Sequence, residues 1–280
     1  MIACLTFDVD AESPILKHGL EHALNLGLMT HQAYGPRVGV PRIVELLREY
    51  DLPATFYVPG LTVDLHPEVV PLILEAGHEV AHHSYAHVAP IDQTPDEERR
   101  DFERALEALA RHGVTPEGYR CPGWEPSYRT PVLVAEHGLR YDSSLFDDDR
   151  PYVLETDAGD VVELPVSWEL DDWEQYAYLP RPEVGSSGLR SPAAVLDLWI
   201  AHLDAYRRHG ATYVLVCHPF LSGRPARVET LRKLIEHALD AGDVEFLATR
   251  DAAARVDGPR RRHVPPEVDA SIYPHGANDS

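Results

Sequence analysis

The sequence predicts an α/β protein, a distorted barrel of about seven parallel strands with helices outside it. Three observations carry that prediction. Gly77, Gly113, Gly138, Gly210 and Gly242 each close a helix-like run just before a strand-like one, and glycine readily takes the left-handed conformation that ends a helix. Several strand-like runs are continuously apolar, Tyr213–Cys217 among them, as strands covered on both faces are. Strands and helices alternate, which implies a mostly parallel sheet with right-handed crossovers. Seven or eight such units fit a barrel better than an open sheet.

In chain order the strand candidates are Ile2–Phe7, Ala54–Val58, Glu79–His83, Glu117–Cys121, Arg140–Ser144, Val161–Val166, Tyr213–Cys217 and Val244–Ala248. Thr94-Pro95 with Glu97 reads as a capping box, and Thr130-Pro131 and Ser191-Pro192 open helices in the same cap-then-proline manner. Phe102, Leu106 and Leu109 recur at helical spacing, as do Val195, Leu198, Trp199, Leu203 and Tyr206. Residues 1–256 read as one undivided domain and 257–280 as a weakly ordered arm. Two long connections, 11–40 and 168–188, break the rhythm, and such segments tend to be functional or mobile.

The chain of 280 residues is 44% apolar and carries a formal charge of −21. An acidic surface repels phosphate backbones, so nucleic acid is not an expected partner. No apolar run approaches the length of a membrane span and no signal-like segment opens the chain, so no membrane partner and a cytoplasmic location are expected. Cys4, Cys121 and Cys217 lie in or beside apolar strand-like runs and read as buried reduced thiols.

Chemistry gathers where strands end. The stretch "LTFDVDAES" places Asp8, Asp10 and Glu12 at the end of the first strand, and crowded carboxylates usually share a cation or a proton. "GHEVAHHSYAH" ends in His83 and His87, whose spacing on a helical turn would set both imidazoles on one face, able to share a metal, while alternation turns His82 away. One carboxylate and two imidazoles make a three-ligand set for a catalytic metal, leaving the second aspartate free as a base. "YRCPGW" adds Arg120 and Trp124, and "LVCHPF" adds His218. A guanidinium fixes a catalytic carboxylate, and an imidazole can protonate a leaving nitrogen. The stretch "WELDDWEQYAY" supplies a candidate substrate wall in Trp168, Trp173 and Tyr176, with Asp171 or Asp172 as hydrogen-bond acceptor. Glu12 is a candidate substrate contact or a support behind the metal site, a solvated loop carboxylate being the competing reading.

From Thr6 to about Val256 the chain resembles the polysaccharide deacetylase (NodB-homology, carbohydrate esterase family 4) superfamily, through "TFDVD", "HSYAH", "RCPGW" and "LVCH". The resemblance implies a NodB-type barrel with Asp8 as base, Asp10, His83 and His87 as metal ligands, Arg120 tethering the base and His218 as general acid. The spaced aspartates, "YDSSLFDDDRPY" and "LPVSWELDDW" look like the branch of cytoplasmic peptidoglycan-deacetylase-like, allantoinase-like and cyclic-imidase-like hydrolases. That branch implies a homo-oligomer, dimer or tetramer.

The expected function is metal-dependent hydrolysis of a non-peptide C–N bond, removing an N-acetyl group from a sugar-type substrate. The expected metal is Zn2+, with Co2+, Mn2+ or Fe2+ also suited to a mixed nitrogen and oxygen site. The alternative is ring opening of a cyclic imide or ureide by the same machinery. More remote are an Asp-x-Asp phosphatase, which leaves the histidines and Arg120 unexplained, and a non-catalytic binding module.

Overall fold

A computed structural model describes residues 1–179 and 188–265. Among them ten strands form one sheet: β1 (Ile2–Asp8), β2 (Thr55–Val58), β3 (Glu79–His82), β4 (Gly118–Tyr119), β5 (Tyr141–Asp142), β6 (Tyr152–Thr156), β7 (Gly159–Glu163), β8 (Tyr213–Cys217), β9 (Glu245–Phe246) and β10 (Arg260–Arg261). Their order is β10-β6-β7-β5-β4-β3-β2-β1-β8, with β9 on the start of β1.

Parallel pairing runs unbroken from β5 through β4, β3, β2 and β1 to β8. The chain leaving β7 then crosses the remaining gap. Leu164 N donates to Asp142 O (2.8 Å), Val166 N to Leu145 O (2.9 Å) and Asp172 N to Val216 O (3.0 Å), and Asp171 bridges to Val216 in parallel. One segment thus pairs with β5 at its start and β8 at its end, closing the expected α/β barrel.

Strand alternation sorts the side chains into two layers. Ala3, Leu5 and Phe7 of β1 pack outward into the helical layer with Val40, Ile43, Leu215 and Leu231. Cys4 points inward with Tyr57, Ala81, Tyr141, Val214 and Val216. Close packing inside the barrel dictates Gly118, where a Cβ would lie 1.9 Å from Cζ of Tyr141. All three cysteines are free and buried.

The helix signals largely hold. The helix Pro95–Ala110 carries the Thr94/Glu97 capping box, Ser191 caps Pro192–His209, and the five glycine stops all have positive φ. Thr130 is an exception: it lies inside its helix, and its hydroxyl instead accepts from Ser127 N and donates to Glu98.

Three features differ from expectation. The 11–40 connection is mostly helical, with Ser13–Leu16, Leu26–Tyr34 and tight turns between them, leading into the helix Val40–Glu49. β6 forms an antiparallel hairpin with β7 where the sequence suggests only one strand. Within the expected arm from 257, β10 pairs with β6, and Arg260 and Arg261 bind Glu155, Asp160, Asp147 and Asp148. Residues 266–280, and 180–187 of the 168–188 connection, lie outside the described residues.

Candidate active site

Asp8 closes β1 on its inward face, and two residues later Asp10 points the same way, because side chains two apart share a side. Ala11 then turns the chain with φ +50°. The Asp10 carbonyl accepts from Ser13 Oγ (2.7 Å) and Thr62 Oγ1 (2.9 Å), which fixes the turn.

His83 follows β3, and the segment to His87 differs from the expected helical turn. It is a loop in which both Ser84 and His87 have φ +57°, a conformation that surrounding contacts must hold. Asp101 accepts from Tyr85 N (2.8 Å) and Ala86 N (3.0 Å), and Ser84 Oγ bonds Tyr119 OH (2.9 Å). The outcome is the one the spacing suggested: the two imidazole centres lie 5.0 Å apart. His82 turns outward as expected, stacked on Phe102 and held by its carbonyl (2.9 Å), with its pKa lowered by burial to about 3.

The facing atoms are suited to a cation. His83 Nδ1 donates to Arg120 O (2.7 Å), leaving Nε2 to face Asp10 Oδ1 at 3.4 Å. His87 Nε2 faces Asp10 Oδ2, also at 3.4 Å. Both Asp10 oxygens are buried without a hydrogen-bond partner, and one donor atom from each of the three residues falls within a 4.8 Å cluster. Burial alone would raise the Asp10 carboxyl, but the His87, His83 and His218 imidazoles together hold it well below the ordinary carboxylate range. An orphaned carboxylate faced by two aimed imidazoles fits a divalent metal.

Asp8 is held from the other side. Arg120, completely buried, donates from Nη1 to Asp8 Oδ1 (2.8 Å) and Thr6 Oγ1 (2.8 Å), from Nε to Ser143 O (3.1 Å) and from Nη2 to Ser143 Oγ (3.0 Å). Its guanidinium carbon lies 4.0 Å from the Tyr57 ring centre. Asp8 Oδ2 remains turned toward His83 Nε2, 3.7 Å away.

His218 follows β8. Its Nε2 lies 3.5 Å from Asp10 Oδ2, and its Nδ1 donates to Asp172 Oδ1 (2.7 Å). Asp172 also accepts from His218 N (2.9 Å) and Ser222 Oγ. Burial disfavours the imidazolium, but Asp171, the bond to Asp172 and Asp10 outweigh it and raise His218 well above its ordinary pKa. Asp171, pushed up to about 8 chiefly by burial, lines the cavity instead of holding the histidine. Replacing Asp172 with asparagine keeps an acceptor at Oδ1 but removes the charge. A charge-assisted bond is worth about 1.5–3 kcal/mol, so kcat/KM should fall about 10- to 100-fold. With less support for the cation, the alkaline limb of the pH profile should move to lower pH; an unchanged profile would leave Asp172 a purely structural role.

These groups open into a cavity of about 390 Å3. Trp124, Trp168, Asp171 and Trp173, the candidate substrate contacts, line it. Trp124 and Trp168 pack at 4.7 Å and Phe146 stacks on Trp168 at 4.9 Å, while Trp173 meets His218 edge-on at 5.2 Å. Glu12 is not brought into the cavity. Its Oε2 lies 2.8 Å from His66 Nε2 in a buried pair, because Glu12, four residues past the strand end, lies beyond the turn at Ala11. Tyr176 is buried below, under the Arg227 guanidinium. Sequence reasoning missed Lys17, Glu125 and Glu174 in the lining. Lys17 is one of only two lysines in the chain, a signal that could have drawn notice.

Among the described residues no helix is long and apolar enough to cross a membrane. A family model for polysaccharide deacetylase matches residues 33–141, which include His83, His87 and Arg120. A peptidoglycan deacetylase of Helicobacter pylori is 32% identical over 231 residues, covering 73% of this chain and 78% of the relative. A crystal structure from Mycobacterium smegmatis, classed with the polysaccharide deacetylases, superposes with a TM-score of 0.92 at 45% identity, covering 95% of this chain and 94% of that one. An allantoinase shares the fold, with a TM-score of 0.78 at 23% identity over 90% and 89% of the two chains. On this likeness, which reaches across nearly the whole barrel, the chain belongs to the polysaccharide deacetylase superfamily.

Proposed function

We propose that this chain is a metal-dependent hydrolase of non-peptide C–N bonds that removes an N-acetyl group from a sugar-type substrate. The observation that carries the reading is the Asp10 carboxylate, buried with both oxygens unpartnered and faced by two imidazole Nε2 atoms at 3.4 Å. Asp10, His83 and His87 would hold the ion, zinc first, with cobalt, manganese or iron also suited to the donor set. Such an ion, when bound, polarises an amide carbonyl and makes water nucleophilic near neutral pH.

The chain's own residues supply the proton traffic. Asp8 takes the water proton at Oδ2, the oxygen that Arg120 leaves free, while Arg120 fixes the other oxygen. His218 delivers a proton from Nε2 to the departing nitrogen, and Asp172 stabilises the imidazolium through Nδ1. Acid and base thus stand on different sides of one carbon, which predicts a bell-shaped pH profile. Trp124, Trp168 and Trp173 wall the substrate, and Asp171 offers it a hydrogen bond.

Trp168 keeps 46% of its surface exposed beside the cavity. Trp168→Ala should raise KM about tenfold with kcat nearly unchanged, as expected when an aromatic contact of about 1.5 kcal/mol is made equally in ground and transition states. A matching fall in kcat would move Trp168 into the reacting assembly.

A second reading, ring opening of a cyclic imide or ureide, is favoured by the size of the cavity, which at about 390 Å3 is near the small end for ligand sites and suits a single ring. The discriminating experiment assays the zinc-loaded protein on an N-acetylated oligosaccharide, a cyclic imide and allantoin, with chelated controls. Acetate release from the sugar is the expected result. Turnover of only the imide or allantoin replaces the first reading with the second, and turnover of none overturns both. The oligomer belongs to the same proposal, supported by the exposed side chains of Leu20, Leu24 and Leu26.

A further inference from the structure

Behind Arg120 lies a second pair of buried carboxylates that the mechanism above does not use. Asp142 of β5 and Glu163 of β7 are register partners on adjacent parallel strands, so their side chains share a face. Both are completely buried. Each satisfies one oxygen fully. Asp142 Oδ1 accepts from Ser143 N (2.8 Å) and Ser144 Oγ (2.5 Å), and Glu163 Oε1 accepts from Ser144 N (2.9 Å) and Leu145 N (2.9 Å). The other two oxygens, Asp142 Oδ2 and Glu163 Oε2, have no hydrogen-bond partner among the described residues.

Two fully buried carboxylates on neighbouring strands cannot both ionise without a counter-charge. Among nearby titratable and charged groups, Arg120 and Asp147 act on the pair, and the pair in turn raises Tyr119, Cys121 and Tyr152. Arg120 is the one cation of this group, and its hydrogen bonds go to Asp8, Thr6 and Ser143. We propose that Asp142 and Glu163 share one proton between their unpartnered oxygens, and that the neutralised pair positions Arg120, and through it Asp8, by fixing Ser143 and Ser144. Burial raises both carboxyls, Asp142 to about 6 and Glu163 further, in accord with a retained proton.

The path from the pair to the site is continuous. Ser144 Oγ donates to Asp142 and accepts from Cys121 N (2.9 Å), which pins the residue after Arg120. Ser143, whose own N–H is bound to Asp142, presents its carbonyl and hydroxyl oxygens to the guanidinium. Arg120 then reaches Asp8, and its carbonyl holds His83. Both carboxylates are therefore positioning residues for the base and for one imidazole of the cation site. The step from Arg120 to catalysis rests on the proposed hydrolase reading; the shared proton does not.

The test combines an activity-independent readout with two substitutions. Infrared difference spectra of the wild-type protein at neutral pH should show the carbonyl stretch of a buried carboxylic acid, lost in Glu163→Gln. That variant keeps an N–H donor toward Asp142, so it should retain kcat within about threefold. Glu163→Ala strands Asp142 and loosens Ser144; its crystal structure should show Arg120 displaced from its contact with Asp8, and kcat should fall about 10²-fold at unchanged KM. Absence of an acid-band component that disappears in Glu163→Gln overturns the shared proton, since the protonated Asp171 carboxyl should absorb equally in both proteins. An undisplaced Arg120 in Glu163→Ala, or equal loss of kcat in both variants, overturns the positioning role. If Glu163→Ala fails to fold, Ser144→Ala, which removes the hydroxyl linking Asp142 to Cys121 N, supplies the same comparison, with Arg120 displaced and kcat lowered. If the wild type hydrolyses no amide, the infrared and crystallographic results still decide the inference by themselves.

Discussion

Asp10→Ala is expected to lower bound metal from about one ion per chain to near zero while leaving the fold intact. A metal ion acting as Lewis acid contributes several kcal/mol of transition-state stabilisation, so kcat/KM should fall about 10³-fold or more. Asp10 is the point on which three imidazoles converge, with His83, His87 and His218 Nε2 atoms at 3.4, 3.4 and 3.5 Å from its oxygens. Without the carboxylate, His83 and His87 are left as a two-ligand site, too few to retain zinc against a chelator. Elemental analysis and circular dichroism on the purified variant check both halves. Full metal retention in Asp10→Ala would remove it from the ligand set.

Arg120→Ala carries the second large effect, in stability. The guanidinium is completely buried, and its loss strands the buried Asp8 Oδ1 and takes one partner each from Thr6 Oγ1, Ser143 O and Ser143 Oγ, although the two hydroxyls still donate to Leu215 O and Leu164 O. Breaking a buried ion pair from one side costs about 3–5 kcal/mol. Urea unfolding should show a fall of that size at an unchanged m-value. Arg120→Lys, which keeps the charge but loses the planar fork, should recover part of the stability while remaining impaired in kcat. A lysine variant with wild-type kcat would mean that Asp8 needs only a positive neighbour, not an oriented one.

The sequence made the centre of the site legible because strand periodicity is a strong constraint. One residue between Asp8 and Asp10 sends both carboxylates to the same side of β1, and the barrel gathers strand ends, so His83, Arg120 and His218 arrive together. His83 and His87 were legible by spacing, although a loop with two positive φ residues, not a helical turn, brings them close. Asp171 and Asp172 were not separable, since adjacent acids give no hint of which lines the cavity and which stands behind His218. Glu12 is drawn away by His66, 54 residues distant in sequence and without a local signal. The barrel followed from its buried apolar strands. β10 could not be foreseen, being two arginines held by backbone pairing and acidic neighbours.

The central claim is that a divalent ion on Asp10, His83 and His87 is required for amide hydrolysis. Its most direct test is to strip the protein with a chelator, add zinc in small increments, and follow deacetylation of an N-acetylated oligosaccharide at each step. The account predicts no activity in the stripped protein and a linear recovery that levels off at about one ion per chain. Full activity in the chelated protein, or the same recovery in Asp10→Ala, would contradict it.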